Sequence, residues 1–322
     1  MLERVAVGER HVLDEARSIA HLAGAVRELE ADAARVAPRL EGRTVWLVNS
    51  TAQGGGVAEM LAPIVAVLRE LGVRTEWVVI GADDPDFFPL TKRIHNMIHG
   101  ETEPPLGHAE RDLYERVNRA NAEELGRLVK PGDVLVVHDP QPLPLARFMP
   151  DDVPLVTVWR CHIGLDEQNA ATRAAWEFLA PYLSVYDRAV FSAPEYIPRQ
   201  LDCRGTVIYP GIDPIAPKNH ELTLHAAIET LCNGGLVSCP GPTVHPPFEA
   251  LVQRVLPDGR LTPANVLEDI GLLTRPIVTQ VSRWDRLKGY LPLMRAFVEL
   301  KRSVLDSDIA REPLHRRRLD LV

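Results

Sequence analysis

Residues 45–61, VWLVNSTAQGGGVAEML, constrain this chain more than any other stretch. An apolar run (Val45, Trp46, Leu47, Val48) passes through a small polar turn into Gly54, Gly55 and Gly56 and then a helix start. That order is strand, glycine-rich turn, helix. The glycines lack a Cβ, so the backbone can take positive φ and a ligand can come close to the main chain. The first N–H groups of a helix beginning near Val57 have no intrahelical partner and sit at its positive dipole end, worth about 0.3–1 kcal/mol to a nearby anion. A phosphate or sugar hydroxyl fits such a turn, and so does a plain strand-to-helix connection with no ligand. The turn is not a P-loop, because no Gly-Lys-Ser/Thr follows, and it does not match G-x-G-x-x-G, with Val57 and Glu59 in the last places.

The rest of the chain extends this unit. Apolar residues from Val12 to Leu40 recur at helical spacing, which predicts amphipathic helices before the first strand. A helix over 57–71 stops at Gly72, and 75–80 is strand-like. Residues 81–107 are irregular around a short helix at 90–98, and 110–129 form an amphipathic helix. Strands over 133–137 and 155–159 end at His138-Asp139 and Arg160-Cys161-His162; a helix over 170–183 and strands over 189–192 and 206–209 follow. Alternating strands and helices imply an α/β fold with a mostly parallel sheet, in which ligands bind at the carboxyl ends of strands. NSTAQGGG, HDPQP and RCH all fall at such ends, so three loops should face one crevice.

Beyond Pro210-Gly211-Ile212-Asp213-Pro214 the pattern weakens. Four parts are expected: a helical extension (1–40), a Rossmann-like domain (41–214), a linker with helical pieces and a Pro/Gly-rich patch at 240–247 (215–274), and the start of a second, incomplete Rossmann-like domain (275–322). In the last part a strand over 276–281 leads through a turn to a helix over 291–302, with Arg283 and Lys288 beside the helix start. Two cations there could seat a diphosphate, and they could equally be solvated surface. His138, Asp139 and His162 likewise admit a structural role, as strand-end hydrogen-bonding and turn residues.

A net charge of −8 argues against nonspecific nucleic-acid binding, and no apolar run approaches the ~18 residues of a membrane span. The N-terminus has no continuous apolar stretch of signal type, so a cytoplasmic location is expected. Cys161, Cys203, Cys232 and Cys239 form no C-x-x-C and suit reduced thiols, with a Cys232–Cys239 bridge the alternative. The sequon Asn49-Ser50-Thr51 falls at a buried strand end and is discounted.

NSTAQGGGVAE, FFPLTKRIHN, VVHDPQP, WRCHI, PGIDP and TQVSRWDRLKG, spread in this order from about residue 44 to residue 302, together resemble the trehalose synthases of retaining glycosyltransferase family 4, enzymes of GT-B fold. The resemblance implies two Rossmann-like domains facing across a cleft, a nucleoside-diphosphate glucose donor, glucose as acceptor and α,α-trehalose as product, with retention and with neither cofactor nor required metal. Residues 41–214 would be the acceptor side and 275–322 the start of the donor-binding domain. Gly54, Gly55 and Gly56 would lie against the donor sugar and diphosphate, Asp139, Gln141 and Arg160 would contact substrate, His162 would hold the transferred glucose, and Arg283 and Lys288 would neutralise the leaving diphosphate. The family's second domain is a complete Rossmann-like unit, whereas the residues after Thr274 here suffice for about one strand and one helix; the sequence therefore reads as truncated at its C-terminus. The alternatives are a catalytically incompetent sugar-binding acceptor domain and a family 4 enzyme with another acceptor, and a homodimer stays open. A Rossmann dehydrogenase is disfavoured, because the fingerprint is absent and Ile80-Gly81 stands where an acidic residue would end the second strand.

Overall fold

The computed structural model describes residues 2–8, 10–198, 201, 205–219, 221–233, 237, 253–256, 258–263 and 277–305. The chain divides into two compact units, residues 1–220 and 221–322.

The first unit is built on a seven-stranded sheet in the order β1-β3-β2-β4-β5-β6-β7. These strands are β1 (Glu3–Arg4), β2 (Val45–Asn49), β3 (Thr75–Val79), β4 (Val134–His138), β5 (Val156–Cys161), β6 (Arg188–Phe191) and β7 (Gly205–Val207). All neighbours are parallel except the edge pair β1–β3. All five residues of β2 are buried, as a strand covered on both faces requires. The strand period of two then sorts them: Trp46 and Val48 join one hydrophobic core, Val45 and Leu47 the other.

Helix α3 (Gly56–Glu70) covers the second core with Leu61 and Val65, both fully buried and worth roughly 1.5–3 kcal/mol each. It stops where Gly72 takes φ +80°. On the opposite face α4 (Phe87–Ile98), α5 (His108–Gly126) and α6 (Ala170–Leu183) pack around Trp159, Trp176, Tyr114 and Tyr182. Asp133 accepts the Thr44 N–H at 2.8 Å and the Trp46 indole N–H at 2.9 Å, clamping the start of β4 to β2.

Before β2, α1 (Val12–Ser18) and α2 (Ala23–Val36) pack on α3 through Val12, Leu13, Ala16 and Val26. The Glu70 carboxylate accepts the N–H groups of Val12 and Leu13 at 2.7 and 3.0 Å, satisfying two free donors of the first turn of α1. The Rossmann-like α/β reading of this unit therefore holds. The edge strand β1 and a 3-10 turn at Leu143–Phe148 were not anticipated from the sequence.

In the second unit the described residues form α7 (Leu224–Asn233), an antiparallel ribbon of β8 (Gln253–Val255) and β9 (Leu261–Pro263), and α8 (Tyr290–Leu305). The strand expected over 276–281 is a correction: residues 277–281 are not in a strand, and Ile277, Val278 and Val281 are exposed. A strand exists through its ladder, and among the described residues no neighbour pairs with this segment. Reduced thiols are corrected in part. Cys161 is free and buried, whereas Cys232 is disulfide-bonded, since sequence spacing alone does not report proximity in the fold. Cys203, Cys239, the Pro/Gly-rich patch at 240–247 and the C-terminal residues 306–322 lie outside the described residues.

Candidate functional site

The parallel strands bring their carboxyl ends to one edge. Chain order reverses between β2, whose next strand lies on one side, and β4, which lies on the other. This is the switch point where an open α/β sheet leaves a crevice. The glycine turn leaves β2 on one side of it and His138-Asp139 leaves β4 on the other. At β2 itself Asn49 is structural: it accepts the Trp77 indole N–H at 2.8 Å and donates to the Thr51 carbonyl at 2.7 Å.

Gly54 sits at φ +76°, the conformation for which the turn needs glycine. Gly55 is the extended N-cap of α3, no side chain caps the helix there, and a Cβ added at Gly54, Gly55 or Gly56 would meet nothing within 4 Å. The start of a 15-residue helix is thus left open.

Asp139 is the one non-glycine at positive φ among the described residues, at 63°. Three bonds hold it there. Its N–H donates to the Arg160 carbonyl at 2.8 Å, its carbonyl accepts the Trp159 indole N–H at 3.0 Å, and its carboxylate accepts the His162 N–H at 2.8 Å. Burial raises its pKa to about 6, against the lowering effects of that N–H and of the Arg160 charge. Helix α5 braces the next two residues: the Tyr114 hydroxyl donates to the Pro140 carbonyl and the Asn118 amide to the Gln141 carbonyl. The Gln141 side-chain oxygen is buried without a partner among the described residues.

Arg160 pairs with His138 in the β4–β5 register, and through one amino group it donates to the Ile208 carbonyl at 2.6 Å and the Ser192 hydroxyl at 3.3 Å. Its other amino group, Nη1, is buried with no partner among the described residues. His138 Nδ1 and His162 Nε2 lie 3.0 Å apart, and His138 Nε2 is a further buried nitrogen without a partner among the described residues. Burial, aided by the Arg160 charge, lowers the His162 pKa to about 4; burial, with His162 and Arg160 beside it, pushes His138 well below the usual range. Both rings are neutral at pH 7. Among the described residues, three buried polar atoms near this edge, Gln141 Oε1, Arg160 Nη1 and His138 Nε2, have no hydrogen-bond partner, a departure from the usual pairing of buried groups.

Residues 47–198 match the family described as "Trehalose synthase, N-terminal domain". Over this stretch the chain is similar to the trehalose synthases. The trehalose synthase of Pyrococcus horikoshii is 34% identical over 269 residues, 83% of this chain and 54% of that protein. That of Rubrobacter xylanophilus is 36% identical over 260 residues, 80% of this chain and 58% of that protein. The chain thus spans about half the length of the curated relatives it matches. A solved structure titled as a trehalose-6-phosphate synthase is a looser likeness, at 18% identity and a TM-score of 0.45 over 59% of this chain and 55% of that one.

Of the residues singled out in the sequence, Gly54, Gly55, Gly56, Asp139, Gln141, Arg160 and His162 stand at the carboxyl edge of the first unit. Arg283 and Lys288 belong to the second. Both are exposed and flank the short turn that ends at Gly289, φ 71°, before α8. Among the described residues neither is ion-paired to a carboxylate. Asn118 and Ser192 were missed as supports of the site. Asn118 carries a sequence signal, being a polar residue on the apolar face of α5 between Tyr114 and Leu125; Ser192 carries none.

Proposed function

We propose that this chain contributes to a GT-B glycosyltransferase that moves glucose from a nucleoside-diphosphate glucose to glucose, with retention, to form α,α-trehalose. The observation that carries the reading is the open glycine turn at a helix start on one side of the switch point, with Asp139, Arg160 and His162 at the strand ends on the other. The named activity of the relatives supports it.

In this reading the sugar lies along Asp139, Gln141, Arg160 and His162, with its phosphates toward Gly54–Gly56 and α3. Arg283 and Lys288 meet the diphosphate. Breaking the glycosidic bond leaves negative charge on the β-phosphate, and cations placed in advance stabilise it as it develops. The leaving phosphate takes the acceptor hydroxyl's proton on the same face of the sugar, which preserves configuration and asks for no protein nucleophile. The division into acceptor-side residues 41–214 and donor-side residues from 275 follows from the same reading.

Incubating the chain with UDP-, ADP- and GDP-glucose and labelled glucose, then reading the product's anomeric signals by NMR, tests the stereochemistry. An α,α-linked disaccharide is the expected product; a β configuration at the unlabelled, donor-derived anomeric carbon would overturn retention. Glucose binding without any transfer would select a sugar-binding domain that needs further chain to react, and transfer to a sugar phosphate in preference to glucose would select another acceptor.

A further inference from the structure

The His138 and His162 rings are inclined by only 6°, with centroids 5.3 Å apart. Parallel rings at that distance could be offset and stacked, but the nitrogen–nitrogen distance of 3.0 Å excludes it. The centroid separation equals that distance extended by one ring radius at each end. Such a sum is reached only when both nitrogens lie on the line joining the centroids. The rings are therefore coplanar and edge to edge, and a single N–H points straight at a lone pair, the strongest orientation for such a bond.

One proton on that line leaves two arrangements. If His162 Nε2 donates, His138 carries its other proton on Nε2, where a buried N–H finds no acceptor among the described residues. If His138 Nδ1 donates, only an unfilled lone pair is buried at Nε2, and orphaned N–H groups are the rarer kind of defect. The second arrangement puts the remaining proton of neutral His162 on Nδ1. That nitrogen has no protein partner among the described residues, and His162 is only half-buried.

We propose that His138 is a positioning residue that fixes the tautomer of His162, so that His162 offers an N–H donor from Nδ1 to the acceptor oxygen of a bound sugar. The assignment of a sugar rests on the glucosyl-transfer reading; the tautomer does not. One further bond and the strand register prepare the arrangement: the His162 main chain is held by Asp139, and the β4–β5 register sets His138 beside Arg160. His162 thus reaches the ligand already oriented, as a metal-ligating histidine does when its second nitrogen is bonded.

The test is two-bond 15N–1H correlation NMR of the full chain labelled at histidine, with His162 assigned by the signal lost in His162→Gln. The expected result is a His162 protonated at Nδ1 with an unprotonated, hydrogen-bonded Nε2. His162 protonated at Nε2 overturns the proposal without any further variant. His138→Asn, whose amide nitrogen can stand in place of Nδ1, keeps the Nδ1–H form. His138→Phe, similar in size but without a donor, loses it and lowers kcat/KM for the nucleotide sugar about tenfold, the loss expected for one hydrogen bond. A folded His138→Phe chain with an unchanged His162 tautomer also overturns it. The NMR is read on free protein, so an absence of transfer would count against the functional reading and leave the tautomer assignment standing.

Discussion

The Asp139 carboxylate accepts the main-chain N–H of His162 across 2.8 Å, tying the turn after β4 to the turn after β5. Asp139 does so from a left-handed backbone conformation, which a non-glycine residue holds only when its surroundings over-determine it. Asn tolerates that conformation and keeps an acceptor oxygen, whereas Ala does neither. Asp139→Ala should lower stability by roughly 2–4 kcal/mol in urea unfolding, the sum of a lost buried bond and backbone strain. Asp139→Asn should stay within about 1 kcal/mol of the parent and lose sugar binding far more than stability.

The two histidines and Asp139 pull stability in opposite directions with pH. His162, at about 4 in the fold, binds its proton less readily than in the unfolded chain, so stability is lost as pH falls from about 6.5 toward 4; His138 acts in the same direction. Asp139, raised to about 6, does the reverse between its unfolded value and 6. Two groups against one predict a net loss on acidification. Urea midpoints at pH 7 and pH 4.5 check it: His162→Gln should flatten the dependence and Asp139→Asn should steepen it. A parent chain more stable at pH 4.5 would contradict the neutral histidine pair.

The glycine turn separates strain from access. Gly54→Ala forces a side chain into φ +76° and should cost about 1 kcal/mol of stability, read by thermal or urea unfolding. Gly56→Ala meets no neighbour and improves helix propensity, so stability should hold or rise slightly. On the proposed reading its Cβ would nevertheless stand where the donor approaches the helix start. KM for the nucleotide sugar should rise several-fold, and an unchanged KM would place the donor elsewhere.

Arg283 and Lys288 are exposed, so Arg283→Ala and Lys288→Ala should leave the unfolding midpoint unchanged. Each should weaken nucleoside-diphosphate binding by roughly ten- to a hundredfold if it makes a charge-assisted bond worth about 1.5–3 kcal/mol. Calorimetry with the free diphosphates reads this directly. Unaltered affinity in both variants would remove them from the site.

Local sequence patterns predicted local structure. The strand-turn-helix unit lies at Val45–Asn49 and Gly56–Glu70, and the helix expected over 170–183 is Ala170–Leu183, because apolar period and glycine chemistry are properties of neighbouring residues. The clustering of strand-end motifs was also legible, since a parallel sheet puts all its carboxyl ends on one edge. What could not be read depends on distant partners. His138 and His162 are 24 residues apart, and nothing in either segment announces their hydrogen bond. β1 is too short to show a period, and its pairing with β3 is a tertiary event. The error over 276–281 has the same origin: Ile277, Val278 and Val281 have the composition of a strand, and composition does not supply the neighbour a strand needs.

The measurement that tests the central claim most directly is nucleoside-diphosphate release by the purified chain given UDP-, ADP- or GDP-glucose, with and without free glucose, and with the sugar product identified. Release that depends on glucose, with α,α-trehalose formed, is the predicted result. Release that is indifferent to glucose, or a glucose-dependent product other than trehalose, would contradict it.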